Sequence, residues 1–108
     1  MAELLADLGR YTGPATLILS SLADGTKHGY ALTKDIEQFA GVHLAPGTLY
    51  SALSRLVDRG LIEPVASDDE RRRPYRITAA GSEALRTQLS EQRRVSEIGL
   101  RRLGGAAT

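Results

Sequence analysis

The chain contains no cysteine, no tryptophan and a single phenylalanine. The lack of cysteine excludes a disulfide framework, a thiolate zinc site and a cysteine nucleophile. With Phe39 and four tyrosines as the only aromatics, a large flat ligand has little to stack on. No run of about eighteen apolar residues occurs, so no membrane-crossing helix is expected. No basic-then-apolar leader opens the sequence, and the expectation is a cytoplasmic protein. Enzymatic signatures are missing too. No glycine-rich loop follows a strand, no nucleophile elbow is present, and Ser20, Ser21 and Ser51 have no base nearby in the pattern. His28 and His43 lie fifteen residues apart without clustered carboxylates. No catalysis, no metal and no cofactor are therefore expected.

What remains is an ordinary globular balance: 108 residues, 42% hydrophobic and 25% charged. That is one small domain, whose limited core leaves room for help from a partner chain. The net charge is +1 and the isoelectric point is near 8.1, lower than the value of about 9 typical of nucleic-acid binders. The distribution is more informative than the sum. Residues 1–54 carry three basic groups, Arg10, Lys27 and Lys34, against five acids. Residues 55–108 carry eleven basic groups against eight acids, and all eleven are arginine. Arginine is the side chain suited to bidentate contacts with phosphate and guanine.

Apolar spacing predicts a short helix over 2–11, with Leu4, Leu5, Leu8 and Tyr11 on one face. A second helix runs from Pro14 to about Ala23, with Ala15, Ile18, Leu19 and Leu22 as its expected buried stripe. A third covers about 28–40, where Leu32, Ile36, Phe39 and Ala40 share a face and Gly41 is the stop. A fourth starts at Pro46, is lined by Leu49, Leu53 and Leu56, and ends at Gly60. The period then changes. Leu61–Val65 and Tyr75–Thr78 read as the strands of a β-hairpin with a long charged tip. Pro64 and Pro74 belong at its edges or ends, since neither can donate to a ladder. Thr78 suits the N-cap of a last helix from Ala79 to about Leu103.

This order predicts a mainly α fold with a small β-hairpin wing, a winged helix-turn-helix. The second helix of a crossed pair can enter a major groove while the first crosses the backbone. The outward face of the Pro46 helix carries Gly47, Thr48, Tyr50, Ser51, Ser54 and Arg55, and no acid before Asp58. The hairpin tip gathers Arg71, Arg72 and Arg73, suited to phosphates or a narrow minor groove. The neighbouring Asp68, Asp69 and Glu70 are expected to face away or to pair with these arginines.

Four motifs in register resemble the phenolic-acid-responsive repressor (PadR) family. His28-Gly29-Tyr30-Ala31-Leu32 is similar to its HGYxL helix opening. Ala45 to Leu56 is similar to its SPGTLYPALxRL recognition helix, with Ala45 in place of serine and Ser51 in place of proline. Gly60-Leu61-Ile62-Glu63 and Arg73 to Gly81 resemble its wing entry and exit. The resemblance covers about residues 14–86. It implies a homodimeric repressor of double-stranded DNA, released in some members by a small-molecule effector. It places Thr48, Tyr50 and Ser51 on bases or phosphates, Lys27, His28 and Tyr30 near the DNA backbone, and Arg71 to Arg73 in the wing.

Alternatives stand for several residues. Tyr50 is a DNA contact or a half-buried helix aromatic. Tyr30 touches the DNA backbone or packs under the wing. Tyr11 belongs to the core or to an effector pocket. The last helix carries Leu85, Leu89, Val95, Ile98, Leu100 and Leu103 without a strict heptad. It outruns the domain, so these leucines, valine and isoleucine, with Leu4, Leu5 and Leu8, are expected to dimerise. The expected organisation is an N-terminal arm over 1–12, a winged helix-turn-helix over 13–78, a dimerisation helix over 79–103 and a flexible tail over 104–108.

Overall fold

The computed structural model describes residues 13–69 and 72–104. The expected arm with Leu4, Leu5, Leu8 and Tyr11 lies outside the described residues, as do Glu70, Arg71 and the tail from 105 onward.

Helix α1 (Pro14–Leu22) begins with proline at its first turn, where the missing N–H costs nothing. It buries Leu17, Ile18, Leu19, Ser21 and Leu22. Ala15, expected in the buried stripe, is exposed, and Leu17 takes its place. The reason is position. α1 is packed between α2 (Gly29–Ala40), α3 (Pro46–Asp58), β3 (Pro74–Ile77) and α4 (Ala79–Gly104), so more than one stripe of it is covered. The buried Ser21 hydroxyl is satisfied by donating to Asp35 Oδ2 of α2 at 2.6 Å.

Helix α2 starts one residue later than the sequence predicts, because His28 is its N-cap: the His28 ring accepts from Ala31 N at 3.3 Å. Gly41, at φ 68°, closes it in the left-handed region that glycine enters without strain. Leu32 and Ile36 are fully buried, but Phe39 is 51% exposed. It points away from the side on which Ile36 and the neighbouring Ala40 meet the core.

Helix α3 has no side-chain cap at Ala45. Pro46 removes one of the orphan N–H donors of the first turn, and Leu49 N bonds Ala45 O at 2.9 Å. Gly60, at φ 72°, turns the chain into β2 (Ile62–Pro64). The hairpin is shorter than the sequence predicts. It also gains a third strand, β1 (Lys27–His28), in an antiparallel sheet of order β1-β3-β2. Lys27 pairs with Tyr75, and Ile62 with Ile77. Pro64 and Pro74 stand at strand ends, as their missing N–H requires. Helix α4 runs through Gly104, one residue past the expected end.

The core joins Ile18 and Leu22 of α1, Leu32 and Ile36 of α2, Leu53 of α3 and Ile62 of β2, with Leu85 of α4 at its edge. Burying a side chain of this size contributes roughly 1.5–3 kcal/mol. α4 meets the domain at a close approach: a Cβ on Gly81 would stand 2.0 Å from the Leu61 carbonyl oxygen.

Candidate nucleic-acid interface

Helix α3 separates its two faces cleanly. Leu49, Ala52, Leu53 and Leu56 are buried, while Gly47, Thr48, Tyr50, Ser51, Ser54 and Arg55 are all exposed. The apolar period at i, i+3, i+4 and i+7 turns the hydrogen-bonding groups outward. Tyr50 is 53% exposed, with one side of its ring resting on α2 at Gly29.

Beside α3 stands the wing. Arg72 and Arg73 are exposed, and Arg72 N bonds Asp69 O at 3.1 Å. Arg76 Nε donates to Glu63 Oε1 across the strands at 2.7 Å. Between wing and helices lies a cleft of about 540 Å³. Tyr30, Tyr50 and Tyr75 supply its aromatic walls, and His28, Arg72 and Arg73 its basic and imidazole groups. Among the described residues, no carboxylate lines it. Oxygen- and nitrogen-bearing rings beside guanidinium groups suit a phosphodiester backbone.

The sequence-predicted residues divide. His28, Tyr30, Tyr50, Arg72 and Arg73 come together at this cleft. Tyr30 is 70% exposed, not packed under the wing, and the Lys34 ammonium stands 5.6 Å from its ring centroid. Lys27 is turned elsewhere. Its ammonium bonds the Asp24 carboxylate and the Ser21 carbonyl. The hydrogen bond and charge of Lys27 hold the Asp24 carboxyl below its ordinary range. Arg71 is outside the described residues. Lys34 and Tyr75 were not singled out from sequence. The spacing of Tyr30 and Lys34, four apart on one helix, carries a signal for the first. Tyr75 reaches the site through the pairing of β3 with β1, which leaves no local trace.

On α4, Leu85 belongs to the chain's own core, whereas Leu89, Val95, Ile98, Leu100 and Leu103 are exposed. A groove of about 360 Å³ runs where the end of α1, β3 and α4 meet, lined by Leu85 and Leu89 together with Arg86 and Arg93. Among the described residues, no group of three or more His, Cys, Asp or Glu is placed to hold a metal ion. None of their helices is long and apolar enough to cross a membrane.

Known proteins match this architecture. The transcriptional regulator PadR-like family matches residues 18–87. A transcriptional regulator of Mycobacterium tuberculosis is 39% identical over 90 residues, covering 82% of this chain and 80% of that protein. A 37.1 kDa protein from a transposon of Streptomyces fradiae is 44% identical over 80 residues, 74% of this chain; the match spans only 23% of that protein's length. The crystal structure of a PadR family transcription regulator from Clostridium difficile superposes with a TM-score of 0.75 at 27% identity, covering 84% of this chain and 98% of that one. By motif, fold and these relatives together, the chain belongs to the PadR-like family of transcriptional regulators, DNA-binding winged helix-turn-helix proteins and not enzymes.

Proposed function

We propose that the chain acts as a homodimeric repressor reading a pseudo-palindromic operator. The observation that carries this reading is the cleft that brings Tyr50 of the outward face of α3 together with Arg72 and Arg73 of the wing, lined among the described residues by no carboxylate. α3 enters a major groove, with Thr48, Tyr50, Ser51, Ser54 and Arg55 toward bases and phosphates, and the wing grips the adjacent backbone. Two copies joined along α4 set their α3 helices about 34–36 Å apart, one helical turn of DNA. The exposed apolar residues of α4 support that pairing, because a helix face with Val95 55% and Leu103 82% exposed gains by being covered.

Release by a small molecule belongs to the same reading. The α1–β3–α4 groove offers Ile77, Leu85 and Leu89 beside two guanidinium groups, suited to a compact organic acid. The setting is the cytoplasm, where the operator is. The test is a mobility shift with the DNA upstream of the protein's own gene against a random-sequence duplex, at two salt concentrations. Tighter binding to the upstream DNA supports the reading. Equal binding to both favours a winged-helix module that works on proteins or ligands instead.

A further inference from the structure

We propose that Gly29 is the positioning residue for Tyr50. This rests on the reading of α3 and the wing as the DNA-facing surface, and adds to it a determinant on the other helix of the pair.

Gly29 is the first residue of α2 and is buried. A Cβ built there would lie 2.8 Å from the Tyr50 hydroxyl oxygen, 3.4 Å from Cζ and 3.6 Å from Leu49 Cδ2. The first distance is inside any real contact, while the others are tight or ordinary. The Tyr50 phenol therefore lies across the start of α2, in space that exists only because residue 29 has no side chain. Its ring forms part of two walls. One faces the wing-side cleft of about 540 Å³. The other faces a groove of about 340 Å³ bordered by Lys34, Glu37 and His43. Swinging the ring changes both shapes at once.

The chemistry of the clash makes the role separable from folding. The atom in the way is the tip of a side chain that turns about two torsions, not backbone. Gly29 is not among the glycines with positive φ, and alanine is favoured over glycine in a helix. Alanine at 29 therefore displaces the Tyr50 ring and leaves the packing of Leu32 and Ile36 intact. The fixed ring angle matters for recognition, because a preordered side chain loses less entropy on binding.

The test compares the native protein with G29A, Y50A and G29A/Y50A. In the free proteins, NMR of isotope-labelled tyrosine rings and isoleucine methyls reads the positions directly. In G29A the Tyr50 ring resonances move and the Ile36 methyl does not. Against the upstream duplex, G29A weakens binding about threefold to tenfold, the loss of about one hydrogen bond, and has no further effect once Tyr50 is alanine. A Tyr50 resonance that stays in place overturns the proposal, as does an equal loss in both backgrounds. Y50F guards against a G29A that folds poorly: it removes the atom at 2.8 Å, so G29A/Y50F regains stability if the clash is the cause. Failure of that rescue overturns the proposal. If the native protein prefers no duplex, the DNA-binding reading falls, and the ring resonances still decide the positioning of Tyr50.

Discussion

The Thr78 hydroxyl donates to the Gly60 carbonyl at 2.7 Å. It also accepts from Gly81 N at 3.0 Å, as the N-cap of α4. One side chain thus ties the turn after the recognition helix to the strand leaving the wing and to the first turn of the long helix. T78V, which keeps the shape and loses both bonds, lowers unfolding free energy by about 1–2 kcal/mol. Denaturant unfolding checks this, and the salt dependence of DNA binding stays as it is in the native protein.

Gly81 tolerates no side chain. Helix propensity alone favours alanine there by about 1 kcal/mol. The Leu61 carbonyl 2.0 Å from the missing Cβ reverses that preference, since backbone cannot step aside as a side-chain tip does. G81A is destabilised by about 1–3 kcal/mol or more, read as a drop in denaturation midpoint.

Arg72 and Arg73 act through charge in the proposed complex. Replacing both by alanine weakens binding to all duplexes and reduces the slope of log affinity against log salt by about 2 per wing, if each guanidinium displaces about one counterion. Titrations at three salt concentrations measure the slope. An unchanged slope removes the wing from phosphate binding.

In the proposed dimer, the exposed apolar residues of α4 join the two copies. V95D/I98D puts charge where the pairing places apolar side chains. Sedimentation finds the native protein dimeric and this variant monomeric at the same concentration. Circular dichroism retains the helix signal of the domain, because neither residue contributes to its core.

Glu37 and His43 give a pH-dependent contact between α2 and the segment leading to α3, at 2.5 Å. The hydrogen bond from His43 holds the Glu37 carboxyl below its ordinary range, against a smaller opposing effect of desolvation. A carboxyl lowered by folding contributes stability above its unfolded pKa, about 4.3 for glutamate, and loses it as pH falls through the lower folded value. H43A therefore raises the Glu37 midpoint in a carboxyl NMR titration and makes acid unfolding less dependent on this group.

Legibility in the sequence follows how local each determinant is. Helix α3 was readable because Leu49, Leu53 and Leu56 repeat at helical spacing between Pro46 and Gly60. The outward set from Gly47 to Arg55 followed from the same period. Strand β1 was not readable. Two residues carry no alternation, and its bonds go to β3 nearly fifty residues on. Ala15 and Phe39 were misplaced because a stripe shows which residues share a face, not how far neighbouring helices extend over it. Gly29 was visible within a motif, but its reason lies in the ring of Tyr50, twenty-one positions away.

The 26 residues of α4 make it a lever. Beyond Leu85, its last residue in the core, it continues to Gly104, about 28 Å at 1.5 Å per residue. In a dimer joined along that length, a change of about 7° in how the two helices cross moves a reading head by about 3.4 Å, the rise of one base pair. A small tilt at the joint would then change the operator spacing the pair can span, without altering a single side chain that touches DNA.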